Sequence, residues 1–270
     1  MYGVSQDKFT KKNTIRASDF VLSRFTSQFG NRELDSITTD EVLSFLNQIT
    51  DGCRQTTKRT RYSPLSSFFN LIKNTVDPSL QNPCTTPILR KLFRPAKIAS
   101  WTILEKDVVD EIIFRTVKPR NRLMLELMAR GGMRIGEVLK LTPKDVEDRR
   151  LILRRPKSGR IAETVFIPKK VADRLKEYIK EEEISPEQRI FPITYQGARM
   201  AIQKAGKLVG IHLRAHDLRR HAATYASRAG TPIEIVSKVI LRHSNLSTTQ
   251  RYLGRVSDTE AMRWIENLYG

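Results

Sequence analysis

The chain has 270 residues, and its 48 Lys and Arg against 29 Asp and Glu give a formal net charge of +19, an excess that points to a polyanionic partner, most often nucleic acid. The excess is not confined to a tail: residues 1–100 hold 15 basic and 8 acidic side chains and the remainder 33 and 21. No apolar run approaches the ~18 residues of a membrane span, Met1 to Thr14 lacks a signal-peptide core, and two cysteines, Cys53 and Cys84, make neither a disulfide scaffold nor a zinc site, so a cytoplasmic protein without a membrane partner is expected.

The first hundred residues read as helical. Thr38-x-x-Glu41 is a capping box, followed by Val42, Phe45, Leu46 and Ile49 on one face. After the basic stretch Lys58, Arg59 and Arg61, the residues Leu65, Phe68, Phe69 and Ile72 repeat the 3.6-residue pattern, with Pro64 expected to kink or start that helix. Asp77-Pro78 and Asn82-Pro83 mark a loop, and the segment from Arg90 to Lys97 is basic. A boundary near residues 95–100 divides the chain into a helical domain over 1–97 and a second domain over 98–270.

A second capping box, Thr102-x-x-Glu105, precedes Val108, Val109, Ile112 and Ile113. A helix around Leu123 to Met128 stops at Gly131-Gly132 and a short one restarts near Arg134. Arg150 to Arg155 and Ala162 to Ile167 are β-like runs joined by Pro156-Lys157-Ser158-Gly159-Arg160, a hairpin with a lysine at its tip. Helices are expected at about 169–183, 196–208 and 217–229. Gly230 ends the last, and Thr231-Pro232-x-Glu234 caps the next with proline in its first position. Ser247-x-x-Gln250 resembles a helix start that places Tyr252 just inside a short helix. Asp258 to Tyr269 is a terminal helix with Ala261, Trp264, Ile265 and Leu268 on one face.

The chemistry-bearing residues fall in three blocks. His216-x-x-Arg219, at i,i+3, puts two cations on one helix face where they can grip a phosphate, although the same spacing also serves a solvated basic face. Gly131-Gly132-Met133-Arg134-Ile135-Gly136-Glu137 holds an i,i+3 Arg–Glu pair, which by itself is an ordinary helical ion pair. His243 stands nine residues before Tyr252, which taken alone reads as a packing residue.

Together these blocks resemble the tyrosine recombinases (the phage integrase family, Xer-like or minimal-integrase type). The family's G-x-R-x-x-E block matches Gly132, Arg134 and Glu137. Its hairpin lysine matches Lys157. Its H-x-L-R-H block matches His216, Leu218, Arg219 and, after one extra arginine, His221. Its L-G-H-x-x-x-x-T-x-x-Y block matches His243, Thr249 and Tyr252. Two departures stand out: Arg242 occupies the usual glycine position, and Arg220 lengthens the second block, where the family register assigns Arg219 to the phosphate.

The resemblance implies a mainly α fold with a small β-sheet, a two-domain clamp of a helical, SAM-like core-binding domain and a catalytic domain. It implies site-specific cleavage and rejoining of double-stranded DNA through a 3′-phosphotyrosyl intermediate, by protomers assembled as a tetramer on paired sites, with no cofactor, metal or ATP. Tyr252 is the implied nucleophile, Arg134 and Arg219 the phosphate clamp, Lys157 the general acid, His216 an aid to proton transfer, His243 a phosphate donor and Glu137 a support for the arginines. Lys58, Arg59, Arg61 and Arg160 are the expected DNA-binding cations. The rival readings are a type IB topoisomerase-like nicking-closing enzyme and a catalytically silent DNA-binding protein.

Overall fold

The computed structural model describes residues 12–95, 103–154, 162–250, 252–253 and 258–269. The chain separates into two compact units, Met1–Ala99 and Ser100–Gly270. It is mainly helical, with one small sheet.

Among the described residues of the first unit four α-helices form: α1 (Lys12–Phe29), α2 (Thr39–Thr50), α3 (Gln55–Thr75) and α4 (Pro87–Leu92). Apolar side chains at helical spacing meet in its core, Val21, Phe25 and Phe29 from α1, Val42, Phe45 and Leu46 from α2, Leu65 and Phe69 from α3. Phe25 sits edge-on to Phe45 and Phe69, with ring centroids 5.5 and 5.7 Å away, the arrangement the ring quadrupoles favour. The Thr38–Glu41 capping box forms. Glu41 also takes a hydrogen bond from Arg32, and this bond first, then those from Thr38, bring its pKa down to about 2. Pro64 does not start a helix. α3 begins at Gln55 and runs through the proline, because the apolar positions Tyr62, Leu65 and Phe69 on either side are all buried in the same core and tertiary packing outweighs the local cost.

The second unit is organised around α6 (Pro119–Arg130). Every residue from Leu123 to Ala129 is buried, so the helix is apolar nearly all round, as a central helix must be; the one charge among them, Glu126, pairs with Arg174 at 2.5 Å. Around it stand α5 (Lys106–Arg115), α8 (Lys169–Glu181), α9 (Tyr195–Lys207) and α10 (Ala215–Arg228). The sheet is antiparallel, in the order β1 (Val146–Glu147), β2 (Arg150–Arg154) and β3 (Ala162–Phe166), with Leu151 opposite Val165 and Leu153 opposite Glu163. The hairpin tip, with Lys157 and Arg160, lies outside the described residues. The one-turn helix α7 (Ile135–Val138) follows α6, and α11 (Ile233–Ile235) continues into a π-helical turn over Val236–Ile240. Next come α12 (Leu246–Gln250) and α13 (Asp258–Tyr269). Trp264 of α13 sits over Gly230, while Met262 and Ile265 remain exposed.

Three expected helix starts differ. α5 begins at Lys106 with Glu105 as the residue before it, and the Glu105 carboxylate takes a hydrogen bond from Arg228; Thr102, the other half of the expected capping box, lies outside the described residues. Pro232 precedes α11 with extended backbone, φ −52° and ψ 139°, rather than occupying its first turn. α12 starts one residue before Ser247, whose N–H is taken by the Asn245 side chain, and Tyr252 falls just beyond the helix.

Candidate active site

Three segments of the second unit converge on the carbonyl of Gly132. α6 ends at Gly131-Gly132, and Gly132 has φ +60°, with room for no Cβ because the Ile240 carbonyl oxygen would lie 2.8 Å away. This close approach fixes the turn that delivers Arg134 and Glu137. Arg134 donates from Nη1 to Glu137 Oε1 at 2.6 Å, and its backbone N–H donates to Oε2 at 2.9 Å. Arg134 is only partly buried, so the remaining guanidinium N–H groups stay available.

Arg219 comes from the first turns of α10 and is 1% exposed. It donates to the carbonyls of Gly132 and Leu241, and its Nη2 stands 3.5 Å from His243 Nε2. Its Nε has no hydrogen-bond partner among the described residues. Burial, then the charges of Arg134 and Arg242, bear against its ionisation, yet a guanidinium keeps its proton. The cluster therefore stores positive charge in a place where water has been removed, and such charge acts strongly on an arriving anion.

His243 is held by a short relay. The Thr249 hydroxyl donates to Ser237 Oγ at 2.8 Å and lies 3.0 Å from His243 Nδ1. While the Thr249 hydroxyl donates to Ser237, Nδ1 carries the imidazole proton and Nε2 turns a lone pair toward Arg219; with the hydroxyl turned the other way the tautomer reverses. Burial first, and then Arg219, Arg134 and Arg242, push the His243 pKa down to about 4. His216, on the outer side of α10, is lowered by desolvation, Arg219, Arg220 and Arg134. Burial also lowers His221, against the opposing contact of its Nδ1 with the Leu104 carbonyl 2.8 Å away.

Tyr252 closes the cluster. Its ring packs with Ala223, Val236 and Leu241 and stands T-shaped to His243 at 5.0 Å. Its N–H donates to the Thr249 carbonyl at 2.7 Å, and its own carbonyl accepts from Thr224 Oγ1 at 3.1 Å. Arg220 lies 5.9 Å from the ring and donates to Asp217. Arg134, Glu137, Arg219, His243 and Tyr252 thus meet, with His216 at the rim. Lys58, Arg59 and Arg61 belong to the other unit, on α3, where Arg59 and Arg61 lie over the Tyr62 and Phe20 rings and Arg59 lines, with Arg90, a polar cavity of about 390 Å³.

Sequence reasoning marks Arg242 only as a departure from the usual glycine and passes over Glu163 altogether. Arg242 adopts φ +52°, a backbone state costing an L-residue on the order of 1 kcal/mol, and its guanidinium joins Glu137 Oε2 at 2.8 Å. Glu163 sits on the inward face of β3, in phase with Val165. That phase is the signal that would have found it. Glu137 feels burial most, but Arg242 and Arg134 outweigh it and hold the carboxyl below its ordinary range.

The three histidines give a pH prediction for the DNA-free protein. In the unfolded chain they titrate near ~6.5, and in the folded chain lower. Between the two values the unfolded state binds more protons, so their contribution is complete above about pH 6.5 and is lost as pH falls toward 4. The melting temperature should drop steadily from pH 7 to pH 5; an unchanged value across that range would contradict the arrangement.

Arg134, Arg219, Arg242, His243 and Tyr252 gather around one backbone turn, with His216 at the rim, and concentrate positive charge there. Among the described residues no group of three or more His, Cys, Asp or Glu side chains is placed to hold a metal, and no helix is long and apolar enough to cross a membrane. The phage integrase family model matches residues 102–257. The chain belongs to this family, the tyrosine recombinases. It is 29% identical to tyrosine recombinase XerA of Pyrococcus horikoshii over 255 residues, covering 89% of this chain and 82% of that protein. It is 28% identical to a tyrosine recombinase of Thermosipho africanus over 274 residues, covering 95% and 93%. The fold is that of the Tn1549 transposon integrase in complex with transposon right end DNA (TM-score 0.72, 16% identity, 98% of this chain and 96% of that one). It also matches a lambda integrase dimer bound to a COC′ core site (TM-score 0.67, 18% identity, 90% and 72%).

Proposed function

We propose that this protein cleaves and rejoins double-stranded DNA at specific sites through a 3′-phosphotyrosyl intermediate, using neither metal nor ATP. The observation that carries the reading is the convergence of Arg134, Arg219, His243 and Tyr252 on the Gly132 turn. The Tyr252 oxygen attacks the scissile phosphorus, the bond to the 5′-oxygen breaks, and the phosphorus passes through a pentavalent state with added charge on its non-bridging oxygens. Arg134 and Arg219 meet that charge with fixed, forked donors, which a point-like ammonium does less well.

The departing 5′-oxygen takes a proton from Lys157, and the phenol proton leaves with the help of His216. His243 hydrogen-bonds the phosphate. For this its proton must sit on Nε2, which the relay permits: the Thr249 hydroxyl turns from Ser237 to donate to Nδ1. Arg160 and, from the first unit, Lys58, Arg59 and Arg61 contact the duplex, the first unit acting as a core-binding domain. The energy kept in the phosphotyrosyl bond drives rejoining when a 5′-hydroxyl returns. Protomers assemble as a tetramer on paired sites, for which the uncovered Met262 and Ile265 of α13 offer an apolar contact.

The test is a nicked suicide duplex carrying the site recovered by footprinting. With the 5′-end free to diffuse away, the protein should accumulate as a covalent adduct, at a rate in excess EDTA within about twofold of the rate without it, because the arginines already supply the charge a metal would bring. Absence of the adduct would overturn the reading, and a strict Mg²⁺ requirement would overturn the metal-independent step.

A further inference from the structure

Arg242 stands where the backbone calls for glycine, at φ +52°. A strained side chain persists when its surroundings over-determine it, and four groups do so here. Nη1 donates to the Ile240 carbonyl at 2.8 Å. Nη2 donates to Glu137 Oε2 at 2.8 Å and reaches the Gly132 carbonyl at 3.4 Å. Nε faces Glu163 Oε2 at 3.5 Å.

Glu163 is 7% exposed, and its carboxylate accepts no hydrogen bond among the described residues. Its ion pair with Arg242 is what answers its charge there. Arg242 therefore ties the segment that leads directly into His243 to the α6–α7 turn through Gly132, to α7 through Glu137 and to strand β3 through Glu163.

We propose that Arg242 is a positioning residue for DNA cleavage, clamped between Glu137 and Glu163 so that Glu137 orients Arg134 without occupying all of its donors. The inference rests on the reading of the site given above. Glu137 divides its two oxygens: Oε1 takes Arg134 Nη1, while Oε2 takes the Arg134 backbone N–H and Arg242. With Arg242 gone, the Arg134 guanidinium is the nearest cation left to that carboxylate and is drawn away from the phosphate. Glu163, left without its partner, adds a second negative charge behind a site that must bind an anion.

The test compares wild type with Arg242→Gly, Arg242→Lys, Glu163→Gln and the Arg242→Gly/Glu163→Gln double variant, measuring adduct formation on the suicide duplex and DNA affinity separately. Glycine suits the backbone and removes the strain, so a residue of no functional weight would leave the rate unchanged or raise it. Arg242→Gly should slow adduct formation at least ~10-fold with half-saturation by DNA within about twofold, and the double variant should be no slower than Arg242→Gly, because the pair acts as a unit. Arg242→Lys, which keeps the charge and loses the fork, should fall between Arg242→Gly and wild type. If Arg242→Gly does not fold, Arg242→Lys and the isosteric Glu163→Gln carry the comparison, and both should slow adduct formation. A wild-type rate in these variants overturns the proposal, as does a rate that falls only in step with DNA affinity. A wild-type protein that forms no adduct overturns the cleavage reading itself, and this inference falls with it.

Discussion

Replacing Tyr252 by phenylalanine abolishes covalent adduct formation, by roughly 10⁴-fold or more, while DNA affinity stays within about twofold. The ring keeps its packing against Ala223, Val236 and Leu241 and its edge contact with His243. The backbone hydrogen bonds to Thr249 and Thr224 do not involve the hydroxyl. Only the attacking oxygen is lost, so the variant should melt close to wild type. Single-turnover cleavage of the suicide duplex, beside a binding titration, checks both halves. An adduct formed by the phenylalanine variant would remove Tyr252 from the nucleophile's place.

Arg219→Ala slows cleavage by roughly 10² to 10³-fold, as loss of one preorganised donor to a developing oxyanion does. It also lowers stability, which separates it from Arg134→Ala. Arg219 is fully buried and satisfies the carbonyls of Gly132 and Leu241; its removal strands the Leu241 carbonyl, at about 1–3 kcal/mol, and leaves Gly132 with only the longer bond from Arg242. Arg134 is partly exposed and its pairing is with a carboxylate that Arg242 also holds. Both alanine variants should therefore lose cleavage, but Arg219→Ala should lose several degrees more in melting temperature. Lysine at 219 cannot reach two carbonyls and a phosphate together, so Arg219→Lys should remain well below the wild-type rate. Full recovery by lysine would mean that charge alone, and not the fork, is what the site uses.

How legible this site was depends on whether local rules or long-range packing decide each feature. The Thr38–Glu41 box and the stop of α6 at Gly131-Gly132 follow from side chains a few residues apart, and both stand as read. Pro64 does not start its helix because the cost of proline in a helix is local, while the burial of Tyr62, Leu65 and Phe69 that outweighs it is not. The capping spacing of Ser247 and Gln250 predicts Tyr252 inside a helix; Asn245 makes the cap instead by accepting from the Ser247 N–H, and the helix ends at Gln250. Arg134 and Glu137 were visible as an i,i+3 pair, since one helical turn brings them together. That Arg242 also joins Glu137 spans 105 positions of sequence, and no periodicity reports such a contact. Glu163 was hidden for another reason. An acid in a short strand normally faces water, and only its register opposite Leu153 and in phase with Val165 marks it as inward.

The central claim is that one particular oxygen of this chain becomes bonded to DNA phosphorus, and the chain has seven tyrosines to choose among. Trapping the adduct on the suicide duplex, digesting it with nuclease and protease, and sequencing the nucleotide-bearing peptide by mass spectrometry identifies both the residue and the DNA end. The expected result is a single modified peptide with a 3′-phosphate linked to Tyr252. A 5′-linked nucleotide, or a nucleotide on any other side chain, Tyr225 of the neighbouring α10 included, would contradict it.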